Sequence, residues 1–300
     1  MPLKRVCVAG LGLIGASLAR AIKQVHPAAV VEGVDLPGEV ARLRHSGIAD
    51  RVESLDRFPE MAAEADLIVL AAPVQKIPDA VRTLAGVVKP SAIVTDVGGV
   101  KGPICKAGAE ALGGGIFIGG HPMSGSERAG GLAADPLLFQ GRSYILCPLP
   151  GVDHGKLLRM VKLVEDIGGR PITLDPADHD RLVGLTSHLP QLIATTIMHT
   201  ILNAPNDRDL ALKVAGRGFR DLTRVAASDL SQWRGVLDQN RKTINAILDE
   251  FEAALAQLRS ALNDSPEDLA ELWSAAAAAR RRMVDREFKP VGGLRPSDEK

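Results

Sequence analysis

The chain is poor in aromatic side chains and in net charge, and each shortage excludes a class of function. Phe, Trp and Tyr make up only 3% of its 300 residues, which argues against the aromatic platforms that bind single-stranded nucleic acid. Lys plus Arg and Asp plus Glu both total 36, so the formal net charge is zero. A neutral chain lacks the electrostatic footprint of a protein that binds nucleic acid or an anionic membrane.

Cysteines and long apolar runs are also scarce. Cys7, Cys105 and Cys147 are isolated, which matches neither a disulfide framework nor a zinc site, so we expect buried, reduced thiols in a cytoplasmic protein. The apolar segments are too short or too interrupted to span a membrane. Because the first predicted strand begins at about Leu3, we expect no signal peptide.

The order of predicted elements indicates an α/β protein with two domains. Residues 1–174 alternate apolar strands with helices, which predicts a Rossmann-type parallel sheet covered on both faces and ending near Leu174. Residues 175–288 carry mostly helical patterns and form the predicted all-helical substrate and dimerisation domain. The tail, 289–300, is rich in Pro, Gly and charge, and we expect it to be disordered.

A glycine-rich turn points to a dinucleotide. The sequence GLGLIG at residues 10–15 follows a β-rich run, Arg5–Ala9, and precedes a helical segment. A second strand ends in Asp35, which is placed to accept hydrogen bonds from ribose hydroxyls. No arginine directly follows Asp35, so the carboxylate favours NAD over NADP. The ends of neighbouring strands should open onto the same crevice, which gives the predicted cofactor-binding set Gly10, Gly12, Leu13, Ile14, Gly15, Asp35, Ala72, Pro73, Val97, Gly98 and Gly99.

A histidine follows another predicted strand. The sequence GGHPMSGSE at 119–127 comes after the apolar run Ile116–Ile118, and Pro122 restricts His121 to an extended backbone. This predicts a histidine on a stiff loop beside the cofactor crevice. An ordinary Gly/Pro turn explains the stretch about equally well when it is taken alone.

The second half of the chain is predicted to consist of helices and one arginine-rich loop. We predict a helix from Asp178 to Leu202, an arginine-rich loop over Gly216–Arg224 and an amphipathic helix over Lys242–Leu262. Ser265 and Pro266 have the residue types of a helix N-cap and first position. Apolar stripes of this kind pack either within one chain or between two, and we favour a homodimer through the helical domain.

Several motifs occur together, in one order, over about residues 4 to 250. In this respect the chain resembles the prephenate/arogenate dehydrogenases, oxidoreductases of tyrosine biosynthesis. The motifs that carry the resemblance are GLGLIGAS at 10–17, TDVGGVK at 95–101, GGHPMSGSE at 119–127, DHD at 178–180, SHLP at 187–190 and GFRDLTR at 218–224.

The resemblance implies a reaction and a set of site residues. The substrate is a cyclohexadiene with a hydroxyl at ring carbon 4 and a carboxylate across the ring. Hydride leaves carbon 4 for NAD, the hydroxyl loses its proton, and decarboxylation makes the ring aromatic. His121 matches the histidine that accepts the proton, and Arg224 matches the arginine that holds the ring carboxylate. The other implied substrate-binding residues are Ser126, Glu127, Ser187, Gln191, Trp233 and Arg217.

Each assignment has a structural alternative. Arg224 could instead form a salt bridge to a residue such as Asp229, Trp233 could be plain helix core, and Arg217 could be solvated. His179 and His188 do not have the spacing of a zinc site. We interpret His179 as a helix-start residue at the domain junction and His188 as packed beside the site, with no metal bound.

Two positions depart from the resemblance. Gly99 stands where many relatives have a serine that orients the substrate hydroxyl and the histidine, and Gln191 stands where many have histidine. Both changes touch the substrate pocket, so prephenate, arogenate and an amino-substituted prephenate analogue stay open as substrates. Two further readings are a β-hydroxyacid dehydrogenase, which predicts a lysine that the Ser187–Leu202 helix lacks, and an inactive NAD-binding homologue.

Overall fold

An eight-stranded sheet organises the first half of the chain. The computed structural model describes residues 3–125, 128–204 and 206–287. The strands are β1 (Arg5–Ala9), β2 (Val30–Asp35), β3 (Arg51–Ser54), β4 (Leu67–Leu70), β5 (Ile93–Asp96), β6 (Phe117–Pro122), β7 (Ser143–Pro148) and β8 (Arg170–Thr173). They lie in the order β3-β2-β1-β4-β5-β6-β7-β8. Within the described residues each neighbouring pair is parallel apart from β6 and β7, which run antiparallel with His121 opposite Ile145.

Helices cover the sheet and make up the second half of the chain. The helices that connect strands are α1 (Leu13–Val25), α2 (Pro37–Leu43), α3 (Phe58–Glu64), α4 (Ile77–Arg82), α5 (Gly102–Leu112) and α6 (His154–Asp166). The later ones are α7 (Pro176–Val183), α8 (Leu189–Leu202), α9 (Arg208–Val214), α10 (Arg217–Thr223), α11 (Leu230–Gln239), α12 (Arg241–Asp264) and α13 (Pro266–Glu287). A π-helical turn, Gly184–His188, joins α7 to α8, and a 3₁₀ turn, Arg224–Ala227, follows α10.

The strand side chains alternate between two cores, one on each face of the sheet. Val6 and Val8 belong to a buried cluster that includes Ile22 of α1, whereas Cys7 lies in a second cluster with Ile77 of α4. Successive strand residues point to opposite faces, and both faces are covered, so the central strands β1 and β4 are apolar at nearly every position. Burial of each large aliphatic side chain contributes about 1.5–3 kcal/mol. This rigid sheet fixes where the strand-end residues lie.

The predicted fold class is confirmed, with local corrections. The sheet is not wholly parallel, because β7 turns back antiparallel to β6. Strand β3, a short charged strand at the sheet edge, was not predicted from the sequence. The predicted loop over Gly216–Arg224 was wrong: Arg217–Thr223 form α10, where an ion pair between Arg217 and Asp221 (3.5 Å) supports one helical turn.

The chain divides into two compact units, Met1–Ile244 and Asn245–Lys300. The predicted boundary at residue 174 stays a prediction, and the tail 289–300 lies outside the described residues. The predicted helix start near residue 265 is confirmed, since the Ser265 hydroxyl accepts a hydrogen bond from the Asp268 amide (3.2 Å). All three cysteines are free and buried. Across the described ranges, no helix is long and apolar enough to cross a membrane.

Candidate active site

The glycine turn after β1 is tightly packed on one side and open on the other. Gly10 has a φ of +94°, which favours glycine, and a Cβ there would lie 2.5 Å from the carbonyl oxygen of Ala71. A Cβ on Gly15 would lie 2.0 Å from the oxygen of Gly10. A Cβ on Gly12, by contrast, would meet no described atom within 4 Å. The open side therefore leaves room for a pyrophosphate at the N-terminus of α1.

Asp35 borders this turn from the end of β2. Its carboxylate accepts hydrogen bonds from the backbone amides of Leu11 (2.6 Å) and Leu36 (2.7 Å). The next arginine along the chain, Arg42, pairs with Glu39 (2.9 Å). A carboxylate held in this position suits ribose hydroxyls and repels a 2′-phosphate, so the residues present fit NAD.

The other predicted cofactor residues lie around the same turn. Leu13 and Ile14 begin α1, while Ala72 and Pro73 follow β4, which is paired with β1. Strand β5 lies next to β4, and the Val97 amide donates to the carbonyl of Leu70 (3.1 Å). The structure therefore brings the predicted set together at the carboxyl ends of β2, β1, β4 and β5. Their contacts with a cofactor stay predictions.

His121 lies in β6, one residue before its end, and not on a loop as predicted. Pairing with β7 extends the strand through Pro122. The backbone of His121 is fixed by this pairing, opposite Ile145 of β7. The Gly120 amide donates to Asp96 (3.0 Å), and the Gly120 carbonyl accepts from the Lys101 ammonium (2.7 Å). Lys101 and Asp96 also pair with each other, and both are fully buried. The histidine is therefore part of a rigid hydrogen-bonded edge.

A chain of hydrogen bonds runs from His121 into α7. The Nδ1 of His121 lies 2.8 Å from the Nε2 of His179, and the Nδ1 of His179 lies 2.8 Å from the Asp180 carboxylate. Asp180 also accepts from the backbone amides of Lys101 (2.6 Å) and Gly102 (2.8 Å). His179 is in the first turn of α7, as predicted, but its contact with His121 was not predicted from the sequence. The DHD motif at 178–180 was the signal available for it.

The other nitrogen of His121 faces the loop after β5. A Cβ built on Gly99 would lie 3.8 Å from the Nε2 of His121 and 3.7 Å from Val236 of α11. Both are ordinary van der Waals distances, so the space beside Nε2 would admit a small side chain. Gly99 thus leaves an opening between the histidine and the cofactor loop.

His188 was predicted to pack beside the site, and its side chain contacts Trp233. Their rings meet edge to face with centroids 5.9 Å apart, and the Asn240 amide lies 3.2 Å from the Nδ1 of His188. The same Asn240 nitrogen donates to the backbone carbonyl of Asp180 (2.9 Å). Burial is the main reason that the pKa of His188 falls to about 4; the carboxylate of Asp180 opposes this shift and His179 adds to it. His188 is therefore neutral at physiological pH.

Gln191 is buried, and one of its amide hydrogens is already engaged. Its Nε2 donates to the carbonyl oxygen of Val225 (2.9 Å), which follows Arg224 directly. This bond ties the 3₁₀ turn that carries Arg224 to α8. Ser187 lies in the π-helical turn and is partly exposed. The amide of Gln191 thus positions the arginine turn, and its direct contact with substrate stays a prediction.

The predicted arginines differ in their surroundings. Arg224 is exposed at the start of the 3₁₀ turn, and Arg217 is 95% exposed and pairs with Asp221. The solvated alternative for Arg217 therefore fits this single chain. Ser126 and Glu127 lie outside the described residues. Among the described residues, no group of three or more His, Cys, Asp or Glu side chains could hold a metal ion.

Two family models match consecutive parts of the chain. The prephenate dehydrogenase nucleotide-binding domain matches residues 18–173, and the prephenate dehydrogenase dimerization domain matches residues 175–275. Together they span strands β2 to β8 and most of the helical half. They confirm the resemblance that the motifs indicated.

Characterised relatives and solved structures agree with the family models. The chain is 32% identical over 259 residues to prephenate dehydrogenase of Bacillus subtilis, covering 85% of this chain and 69% of that protein. It is 32% identical over 291 residues to cyclohexadienyl dehydrogenase of Zymomonas mobilis, covering 96% and 99% respectively.

Two solved structures have nearly the same fold. One is prephenate dehydrogenase from A. aeolicus in complex with hydroxyphenyl propionate and NAD+, with a TM-score of 0.86 at 27% identity over 94% of this chain and 99% of that one. The other is Synechocystis arogenate dehydrogenase, with a TM-score of 0.82 at 27% identity over 93% and 99%. The chain therefore belongs to the prephenate dehydrogenase family.

Proposed function

We propose that the protein catalyses the NAD-dependent oxidative decarboxylation of prephenate, to 4-hydroxyphenylpyruvate, or of arogenate, to tyrosine. The observation that carries the proposal is the place of His121, whose Nε2 lies beside Gly99 on the predicted cofactor loop. Membership of the family and the named relatives support the same activity. When bound, NAD supplies the acceptor for the hydride that leaves ring carbon 4.

His121 is suited to take the proton of the substrate hydroxyl. Burial lowers the pKa of His121 well below its usual 6.5, and His179, Lys101 and His188 shift it in the same direction. The imidazole is therefore neutral at physiological pH, and a neutral imidazole can accept a proton. A positioned general base of this kind accelerates a reaction by roughly 10²–10⁴-fold.

Arg224 is the proposed partner of the ring carboxylate. A planar guanidinium can bind a carboxylate through two parallel hydrogen bonds. The bond from Gln191 to Val225 supports the proposal, because it anchors the turn that presents Arg224. Loss of this carboxylate as CO₂ makes the ring aromatic and the reaction effectively irreversible.

The choice between prephenate and arogenate depends on the substrate side chain. The relatives include enzymes named for prephenate, for arogenate and for cyclohexadienyl substrates. The β-hydroxyacid alternative is disfavoured, because the segment Ser187–Leu202 contains no lysine. A comparison of kcat/KM for the two substrates assigns the preference.

We also propose a homodimer through the helical half. The dimerization-domain model matches residues 175–275, and this region exposes large apolar side chains in the single chain. Examples are Leu210, Val214 and Leu222 in the first unit, and Leu262 and Trp273 in the second. A contiguous exposed apolar patch marks an interaction surface, and these side chains are the candidates for such a patch in each unit. A second copy of the chain is the partner that the family description supports.

The proposed activity is tested by NADH absorbance in mixtures of protein, NAD and either prephenate or arogenate. We expect turnover with at least one substrate and a loss of kcat of about 10²–10⁴-fold in His121→Asn, with NAD binding retained. His45→Asn, at an exposed position, is the matched control and should leave the rate unchanged. Turnover with neither substrate would overturn the proposed function, and an unchanged rate in His121→Asn would remove that residue from its role.

A further inference from the structure

We propose that His179 and Asp180 are positioning residues that hold His121 in one tautomer, with the proton on Nδ1 and the lone pair on Nε2, and share the charge that His121 acquires. The proposal rests on the proposed function for its chemical meaning. The hydrogen-bond chain that carries it lies in the structure itself.

The direction of the hydrogen bonds follows from the acceptor at the end of the chain. An ionised carboxylate only accepts hydrogen bonds. Asp180 faces three nitrogens, the Nδ1 of His179 (2.8 Å) and the backbone amides of Lys101 (2.6 Å) and Gly102 (2.8 Å). Both backbone amides donate to Asp180. The carboxylate has no proton to donate, so it is also the acceptor in its hydrogen bond with His179. The proton of neutral His179 therefore resides on Nδ1.

The tautomer of His121 follows from that of His179. With its proton on Nδ1, neutral His179 offers only a lone pair at Nε2, which lies 2.8 Å from the Nδ1 of His121. The Nδ1 of His121 must therefore carry the proton that makes this bond. The lone pair of His121 is left on Nε2, the nitrogen that faces the opening at Gly99. Without His179, either nitrogen could hold the proton.

The same chain suits the charged state of His121. As carbon 4 is oxidised, its hydroxyl O–H bond breaks and the proton binds Nε2, which leaves a carbonyl at carbon 4. When CO₂ leaves, the electron pair of the broken C–C bond moves through the ring to this oxygen, which takes the proton back. While His121 holds the proton, its Nδ1–H points to His179, so positive charge is shared toward Asp180. No net proton is left on the protein.

The titratable groups around His121 explain why such support is needed. From β6 the ring faces His179 on α7, His188 on the π-helical turn and Lys101 at the start of α5, and all three disfavour its protonation. Asp96 is neutralised by its pair with Lys101. Asp180 is the carboxylate connected to His121 through hydrogen bonds. It is therefore placed to offset the charge.

A purely structural role makes different predictions. Asp180 also ties α7 to the start of α5, so its loss would disturb the fold, and variants of His179 give the cleaner test. His179→Phe keeps an aromatic ring but removes the acceptor, whereas His179→Gln offers a carbonyl oxygen that can accept the Nδ1–H of His121. Asp178→Asn removes an exposed charge from the preceding position and is the matched control.

The first measurement is independent of turnover. In ¹⁵N-histidine NMR spectra, with the His121 signals assigned from His121→Asn, we expect the Nδ1–H tautomer in the wild type and in Asp178→Asn. His179→Phe should give a mixture of tautomers. Wild-type His121 with its proton on Nε2, or an unchanged tautomer in His179→Phe, would overturn the proposal. These results stand whether or not prephenate and arogenate are substrates.

The second measurement uses the enzyme assay. We expect kcat to fall about 10- to 100-fold in His179→Phe, less than on loss of the base itself, with KM and NAD affinity unchanged. His179→Gln should recover part of the rate, and the acidic limb of the pH profile of kcat should move in His179→Phe but not in Asp178→Asn. Equal kcat in the wild type and both His179 variants would refute the positioning role. If the wild type turns over neither substrate, the proposed function fails and the NMR result still decides this inference.

Discussion

The ammonium of Lys101 donates a 2.7 Å hydrogen bond to the carbonyl oxygen of Gly120, the residue directly before His121. The same ammonium pairs with Asp96, and both side chains are 0% exposed. Asp96 in turn accepts from the amides of Gly98 (2.8 Å) and Gly120 (3.0 Å). One buried ion pair therefore joins the predicted cofactor loop to the strand that carries the histidine.

Removing Lys101 should destabilise the whole fold. In Lys101→Met the Asp96 carboxylate loses its cation in a fully buried position, and breaking a buried pair in this way costs about 3–5 kcal/mol. Urea unfolding should show this loss. Lys106→Met, on the exposed side of α5, removes a lysine that is 77% exposed and 3.9 Å from Glu110, and should change stability by less than about 0.5 kcal/mol. Equal midpoints for the two variants would contradict the assigned role of Lys101.

His188 should make the protein less stable in mild acid. Its folded pKa is about 4, against about 6.5 in an unfolded chain. Between these values the unfolded state binds more protons, so the free energy of unfolding falls as the pH drops from 6.5 to 4. The contribution of His188 is at most about 3 kcal/mol. Protonation would also place a hydrogen on Nδ1, opposite the Asn240 amide.

The measurement is urea unfolding at several pH values between 7 and 4. His188→Leu is expected to be less stable than the wild type at pH 7, since it loses the Asn240 contact, but its stability should fall less on acidification. His121 contributes in the same direction in both proteins, so the difference between the two curves isolates His188. Parallel curves would show that His188 does not titrate in this range.

Gly99→Ser should leave the stability of the fold nearly unchanged and should lower the KM for the substrate. The added Cβ meets Val236 at 3.7 Å and the Nε2 of His121 at 3.8 Å, so the hydroxyl is placed near the reacting group. A hydrogen bond to the substrate hydroxyl is worth about 0.5–1.5 kcal/mol, which corresponds to a decrease in KM of about 2- to 12-fold. Steady-state kinetics with the active substrate gives the comparison.

Gly98→Ser is the matched control. At this position the Cβ would lie 2.7 Å from Ile104 and 3.0 Å from Asp96, so the side chains around it must move. We expect Gly98→Ser to be destabilised and Gly99→Ser to unfold at nearly the wild-type temperature. A strong loss of stability in Gly99→Ser would mean that the opening beside His121 is not available.

Trp273 should contribute to the proposed dimer. Its side chain is 73% exposed on α13, in a groove shared with Leu269 and Ala270. Trp273→Lys places a charge in this apolar groove, and light scattering over a dilution series should show a shift from dimer to monomer. Glu271→Lys introduces the same residue at an exposed polar position and should stay dimeric. A wild type that is monomeric at all concentrations would reject the dimer.

Local sequence signals were sufficient for several features of the fold. The turn at Gly10, the strand that ends in Asp35 and the helix start at Pro266 each depend on the backbone preferences of a few adjacent residues. Strand β3 escaped prediction because a short charged segment at a sheet edge has no apolar signature. The loop predicted over Gly216–Arg224 failed for a related reason, since glycines alone do not prevent a helical turn that an ion pair supports.

The sequence by itself determined that a nucleotide-binding fold precedes a histidine and an arginine in the order of this family. Each of those signals lies within a few adjacent residues. Only the tertiary structure decided that His121 meets His179, 58 residues away, and that the amide of Gln191 is engaged by Val225. Such pairs are brought together by the packing of whole elements on the sheet. Side-chain contacts between distant segments leave no pattern among adjacent residues, so they cannot be predicted from local sequence.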